Sequence, residues 1–378
     1  MQRRQASVPV LDARTIDVLT DIATRYYLRE DSQTEIARAL GLDPSTVSRY
    51  LKRARDEGIV HVEIRPPRRS DVDLGRALAR RYGMARVVVA PTAADASDDA
   101  TDGARELAAT AAGFLEGLLR NGMRLGISWG HTLAAVIGEL RPGSVSDLSI
   151  AQLAGGVEDP NPGIQGHELV RRLADLYPGS RVHYVHAPAI VDSDATGEAL
   201  LGDRIVQAAL DAARASELAV VGIGQMDDTA TLVRGGHVSR PDWARLVAAG
   251  GAGNVNTCFF DDRGRALPDL RMRTIAITLD ELRAIDTVVA VAGGVGKARA
   301  IRGALATGAI DVLVTDELTA AAVLEADRVA RPGDGPAGGR ARTKARPAAP
   351  ARKRMATGER VATRSRPTPQ GSAPGSEG

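Results

Sequence analysis

A single cysteine, Cys258, stands among 378 residues, so no disulfide can form within the chain, which fits a reducing compartment. Aromatic residues make up only 3%, too few for the stacked platforms that grip single-stranded nucleic acid. No apolar run approaches the roughly 18 residues of a membrane helix. The opening MQRRQASVPVLDART carries charge without the apolar centre of a secretory signal. These absences lead us to expect a cytoplasmic chain with no membrane partner. What remains, 44% hydrophobic and 25% charged residues, is ordinary globular composition, and the length allows two domains.

The net charge of +2 is unevenly spread. Residues 331–378 are Pro, Gly, Ala, Arg and Lys with almost no large apolar side chain. Such a segment cannot bury enough surface to offset the entropy of ordering it, so we expect a disordered basic tail. It reads equally as a solvated extension or as an aid to nonspecific DNA attraction.

The richest stretch near the N-terminus is DSQTEIARALGLDPSTVSRYLKRARDEGIVHVEI. Ser32-Gln33-Thr34-Glu35 has the spacing of a capping box, in which hydroxyl and carboxylate each satisfy a backbone N–H. Ile36, Ala37 and Leu40 share one face of a short helix, and Gly41 supplies a left-handed stop. Asp43-Pro44 restarts the chain with an N-cap and a proline in the first turn. In the second helix Val47, Leu51 and Ala54 face inward. A tight turn between two short helices predicts a helix-turn-helix over residues 1–65. Gln33, Ser45, Thr46, Arg49, Lys52 and Arg53 are its candidate contacts to double-stranded operator DNA. An upstream helix over residues 13–28 is expected to pack through Ile16, Leu19, Ile22 and Ala23. IVHVEIRPP (59–67) reads as a short strand or wing, and residues 66–71 as a hinge.

From residue 72 to 330 short β-branched runs alternate with amphipathic helices. Strands are expected at 86–90, 124–128, 148–153, 181–187, 218–223, 287–292 and 311–315. Helices are expected at 102–119, 132–140, 166–176, 197–214 and 297–307. The alternation predicts an α/β domain with a doubly wound parallel sheet. NTCFFDDRGRAL followed by RTIAIT reads as an antiparallel excursion turning at Asp262-Arg263-Gly264. Four strand ends share a glycine-and-polar pattern, GISWGHT, AQLAGG, VVGIGQM and VAGGVGK. Ligands of open α/β sheets sit at such ends, and Lys297 points to an anionic one.

Several other chemistries fail on spacing. A phosphate loop of the G-x-x-x-x-G-K-[ST] type would need glycine where Val291 stands and a hydroxyl where Ala298 stands. A dinucleotide G-x-G-x-x-G is broken by Asp227. His183 and His186 fall on opposite faces of a strand, and no histidine group has zinc spacing. No cofactor and no metal are expected.

Taken together, QTEIARALGLDPSTVSRYLKRARDEGIV and GISWGHTL…VAVAGGVGKARAIRGALATGAIDVLVTDELTAAAVL make the chain resemble the SorC/DeoR-like sugar-binding transcriptional regulators over about residues 10–326. The resemblance implies a helix-turn-helix joined to a Rossmann-like domain shaped like sugar-phosphate isomerases. It implies a phosphorylated sugar effector, a homo-dimer or homo-tetramer, and a nucleoid-associated location. Residue by residue, Gly130, His131 and Thr132 match the family's phosphate-holding turn. Gly293, Gly294 and Lys297 match a second phosphate-side loop. Asp261 matches an acidic contact to sugar hydroxyls, and Gln152 and Gly224 match positions near the ligand. One departure is Gly253-Asn254-Val255-Asn256, where many members carry Gly-Asp or Gly-Glu. An amide there removes a charge and leaves the effector's identity open.

The alternative is an isomerase or deaminase fused to a DNA-binding head. It needs a general base near the sugar carbons. Asp261 and Asp316 lie in the right region without forming an assignable acid–base pair, and Schiff-base chemistry at Lys297 asks more of it than phosphate pairing does. The sequence reading is therefore a sensor with no catalytic residues, whether repressor or activator.

Overall fold

The computed structural model describes residues 13–29, 31–60, 69–91, 100–159, 162–227, 230–267 and 273–330. Most of the expected wing, residues 66–68 of the hinge, and the basic tail lie outside these residues. The helix Arg69–Tyr82 takes in the last three residues assigned to the hinge.

Three helices, Ala13–Tyr27, Gln33–Leu40 and Pro44–Asp56, form the N-terminal module. Ile22, Ile36, Ala37, Val47 and Leu51 make one buried cluster, and Leu19, Ala23 and Ala54 a second beside it. Ile16, expected to pack, is instead 40% exposed, because the buried stripe of the first helix runs through Leu19, Ile22 and Ala23.

The larger module is built on a seven-stranded parallel sheet. Its strands are β1 (Arg86–Ala90), β2 (Arg124–Ile127), β3 (Ser149–Gln152), β4 (Arg181–His183) and β5 (Leu218–Gly222). A three-stranded antiparallel sheet follows in β6 (Gly224–Gln225), β7 (Gly251–Val255) and β8 (Cys258–Asp261). β9 (Thr287–Val291) and β10 (Val312–Asp316) complete the large sheet, in the order β1-β10-β9-β5-β2-β3-β4. The interior strands LAVVG, TVVAV and VLVTD are almost wholly buried, as expected of a sheet covered on both faces. Two large apolar clusters, one on each side of the sheet, form the core. Among the described residues no helix is long and apolar enough to cross a membrane.

Several elements differ from expectation. The strand expected over 181–187 is only β4, Arg181–His183, because the Val185 N–H donates to the Gln152 side chain instead of a strand partner, and His186 therefore lies beyond the strand. The single helix expected over 197–214 is two, Asp194–Leu201 and Arg204–Arg214. Asp203 restarts the chain by accepting from the Ile205 and Val206 backbone N–H groups at 2.8 and 3.2 Å. β7 was not anticipated, because GAGNV has the composition of a loop. The glycines are there for space: a Cβ on Gly253 would fall 2.8 Å from both the Ala300 Cβ and the Gly224 carbonyl oxygen.

β7 and β8 are joined by Asn256-Thr257, both at positive φ (53° and 61°). This is the two-residue hairpin geometry whose twist matches the strands, and it is costly for a β-branched residue. The surroundings hold it in place. The Asn256 amide donates to the Leu153 and Ile277 carbonyls at 2.8 and 3.2 Å, and its oxygen accepts from the Ser128 hydroxyl at 3.2 Å. The expected turn at Asp262-Arg263-Gly264 follows β8, with Gly264 at φ 77°.

Candidate functional sites

In the N-terminal module the expected capping box is complete: Glu35 accepts from the Ser32 N–H at 2.8 Å, and the Ser32 hydroxyl accepts from the Glu35 N–H at 3.3 Å. Gly41 closes the helix at φ 64° and Pro44 opens the next, although the Asp43 side chain makes no capping bond. Burial of Val47, Leu51 and Ala54 leaves Ser45, Arg49, Lys52 and Arg53 exposed on the opposite face, with Thr46 and Gln33 half-buried. Arg49 donates to the Thr46 hydroxyl at 3.0 Å, while Arg53 lies 3.6 Å from Glu57. Lys52 and Arg49 are thus the cations of this face with no carboxylate in salt-bridge range among the described residues.

A cavity of about 380 Å³ opens at the carboxyl ends of β2, β5 and β9, which are neighbours in the sheet. Of the residues expected at the ligand, Gly130, His131, Thr132, Gly224 and Lys297 line it. Gly130 starts the helix His131–Glu139 from φ 129° and ψ 165°, a conformation open essentially to glycine alone. No side chain caps that helix, so its first N–H groups and the positive end of its dipole remain available to an anion. Lys297 reaches the same cavity from the 3₁₀ turn Val295–Lys297 after β9. Burial lowers the proton affinity of its ammonium below the usual lysine range, and the charge of Asp227 restores part of it. No carboxylate lies within salt-bridge range of it among the described residues.

Four of the expected contacts are not brought to this wall. Asp261 is buried and folded back on its own turn, accepting from the Arg263 and Arg265 backbone N–H groups at 2.9 Å and from the Arg265 guanidinium at 2.7 Å. Burial pushes its carboxyl up, but the Arg265 bonds outweigh that and hold it below the ordinary range. Gln152 is structural: its oxygen accepts from the Val185 N–H at 2.8 Å, and its amide nitrogen fills the space a Cβ on Gly166 would take. Gly293 and Gly294 hold the loop that carries Lys297. The Gly294 N–H donates to Asp316 at 3.1 Å and to the Thr319 hydroxyl at 2.7 Å, so it is already occupied by protein. Asp316 also accepts from the Thr319 N–H and hydroxyl. Neither carboxylate considered as an acid or base lines the cavity.

Lining residues that sequence reasoning did not name as ligand contacts include Arg234, Asn254 and Trp129. Arg234 ends the short helix Thr231–Arg234, away from every glycine turn. Asn254 lies on the unanticipated β7. Trp129 keeps a buried indole N–H with no acceptor among the described residues. Only the Gly-Asn-Val-Asn departure in the sequence hinted at Asn254. Among the described residues no group of three or more metal-ligating side chains occurs.

Comparison with known proteins matches both domains. The profile of the family described as "Putative sugar-binding domain" matches residues 67–325, and that described as "Winged helix-turn-helix DNA-binding" matches residues 32–61. The erythritol catabolism regulatory protein EryD of Brucella abortus is 31% identical, over 78% of this chain and 92% of its own length. The transcriptional regulator LsrR of Klebsiella pneumoniae is 31% identical over 82% and 93%. The full-length sorbitol operon regulator SorC of Klebsiella pneumoniae superposes with a TM-score of 0.63 at 25% identity, covering 83% of this chain and all of that one. A reading helix with an exposed basic face and a lined cavity on a parallel sheet thus coincide with matched domains along one chain, which belongs to the SorC/DeoR-like family of sugar-binding transcriptional regulators.

Proposed function

We propose that this regulator binds a phosphorylated sugar or polyol in the cavity and that occupancy alters its affinity for operator DNA. The observation that carries the reading is the meeting, in one cavity, of an uncapped helix N-terminus and a lysine without a salt bridge among the described residues. Both groups favour a phosphate: the helix through backbone N–H groups and dipole, the lysine as a point charge. Relatives named for erythritol, sorbitol and deoxyribonucleosides supply the polyhydroxylated part of the ligand by analogy.

Reading helices act in pairs on symmetric half-sites, so we propose a homo-dimer or homo-tetramer on a near-palindromic operator. Arg49→Ala and Lys52→Ala are expected to weaken binding to a duplex selected by the protein from a random pool. Where the lost contact is to phosphate, the slope of log affinity against log salt falls by about 1 per residue. Fluorescence anisotropy across a salt series reads both, and unchanged affinity in the double variant would remove this face from the interface.

A thermal-shift screen tests the effector. Phosphorylated sugars are expected to raise the melting temperature while their unphosphorylated counterparts do so far less, since only ligands of the folded state stabilise it. Conversion of a phosphosugar by the purified chain, followed by NMR, would favour an enzyme instead.

A further inference from the structure

Asn254 is a polar side chain of the cavity wall that the protein itself does not engage. It is 6% exposed, lines the wall, and has no hydrogen-bond partner among the described residues. Its amide lies against Gly224, where a Cβ would fall 2.4 Å from the amide nitrogen, so the glycine leaves room for it. The second asparagine of the wall, Asn256, is different: both ends of its amide are bonded to protein. Unlike the Trp129 indole N–H, the Asn254 amide is not wholly shut off from solvent, so a ligand group bound there replaces water on a free donor and acceptor.

The fixed charges on the cavity wall, Arg234 and Lys297, are both positive, although the charge of Asp227 reaches Lys297 from outside the described lining. His131, Arg234 and Lys297 line the cavity, and among its described lining residues there is no carboxylate. A carboxylate would accept from sugar hydroxyls, yet it would repel a second anion. An amide N–H donates to an anion as readily as to a hydroxyl, and nothing described in this wall opposes negative charge. A phosphate dianion at the helix N-terminus neutralises part of the positive charge. A neutral sugar chain beyond it leaves the rest uncompensated in a site of reduced dielectric, where such an imbalance counts for more.

Resting on the phosphosugar reading above, we propose that the effector is a phosphorylated sugar acid and that Asn254 selects its carboxylate over the hydroxyl or carbonyl of the neutral phosphosugar. The phosphate occupies the Gly130–Thr132 turn. The carboxylate accepts from the Asn254 amide within reach of the basic side chains.

Calorimetric titration of the full chain with matched pairs tests this, using 6-phosphogluconate against glucose 6-phosphate and 4-phosphoerythronate against erythrose 4-phosphate. The acid of at least one pair is expected to bind tenfold or more tightly than its neutral counterpart. In Asn254→Asp that ratio is expected to fall at least tenfold, because a fixed negative charge then faces the ligand carboxylate. Equal or tighter binding of the neutral member in both pairs by the unaltered protein overturns the proposal, whatever the variant does. An acid preference unchanged in a folded Asn254→Asp protein overturns the role of Asn254. If neither series nor inorganic phosphate binds, the phosphosugar reading itself falls, which separates the two failures.

Discussion

Lys297→Met is expected to weaken phosphorylated effectors by about 100-fold or more while leaving operator affinity in their absence unchanged. Removing one partner of a buried charge contact costs about 2–5 kcal/mol, and each 1.4 kcal/mol is about a factor of ten. The lysine is well placed for that effect. Its loop is pinned by the Gly294 N–H to Asp316 and Thr319, which places the lysine at the cavity wall. Burial lowers its pKa in the free protein, and a bound phosphate raises it again. Binding therefore takes up a proton once pH exceeds the lowered value. Affinity is complete below that value and declines as pH rises through it, earlier than an ordinary lysine would dictate. Lys297→Arg should flatten this decline, since guanidinium stays protonated throughout. Calorimetry from neutral to alkaline pH reads both variants. A phosphosugar affinity in Lys297→Met equal to that of the unaltered chain would show that the phosphate lies elsewhere.

Asp327→Ala carries the second large effect, on stability. Asp327 is 5% exposed and sits in the last helix, Glu317–Ala330, where it meets Arg81 and accepts from the Tyr82 hydroxyl at 3.2 Å. Both charged side chains are nearly buried, with Arg81 at 11% and Asp327 at 7% side-chain exposure. Burial, with the carboxylate beside it, raises the Tyr82 pKa, so the phenol remains a donor at all ordinary pH. Losing Asp327 leaves the Arg81 guanidinium in the interior without this counter-charge, which costs about 3–5 kcal/mol. At about 2–4 °C per kcal/mol for a domain of this size, the melting temperature should fall by roughly 10 °C. Surface pairs such as Arg171 with Glu168 and Asp175 serve as the contrast. Their removal should change stability by less than about 1 kcal/mol. A melting temperature in Asp327→Ala within a degree of the unaltered chain would refute the role given to the pair.

The parts of this molecule legible in its sequence are those governed by neighbours along the chain. The capping box at Ser32, the stop at Gly41 and the proline start at Pro44 are local devices, and the structure has each where the spacing put it. β1 and the helix Gly166–Leu176 have the expected bounds. The helix-opening turn at Gly130 and the lysine at 297 were legible for the same reason, since each needs only a strand end running into a helix.

What escaped depends on partners distant in sequence. Asp261 looked like a ligand contact by analogy, but a turn of five residues consumes its carboxylate, and the short Asp-x-x-Gly pattern already allowed that reading. Gln152 is consumed by a backbone N–H 33 residues away, which no local pattern reports. Arg234 and Asn254 reach the cavity because the sheets bring short helix, hairpin and strand ends together, and neither lies in a motif.

The central claim is that cavity and reading helix report to each other. Linkage requires that an effector which changes operator affinity by some factor have its own affinity changed by operator by the same factor. The decisive measurement is effector affinity by calorimetry for the free protein and for the protein saturated with its selected duplex, beside duplex affinity with and without saturating effector. The account predicts two equal ratios clearly different from one, both collapsing to one in Lys297→Met. An effector that binds the cavity with the same affinity whether or not DNA is present would contradict it.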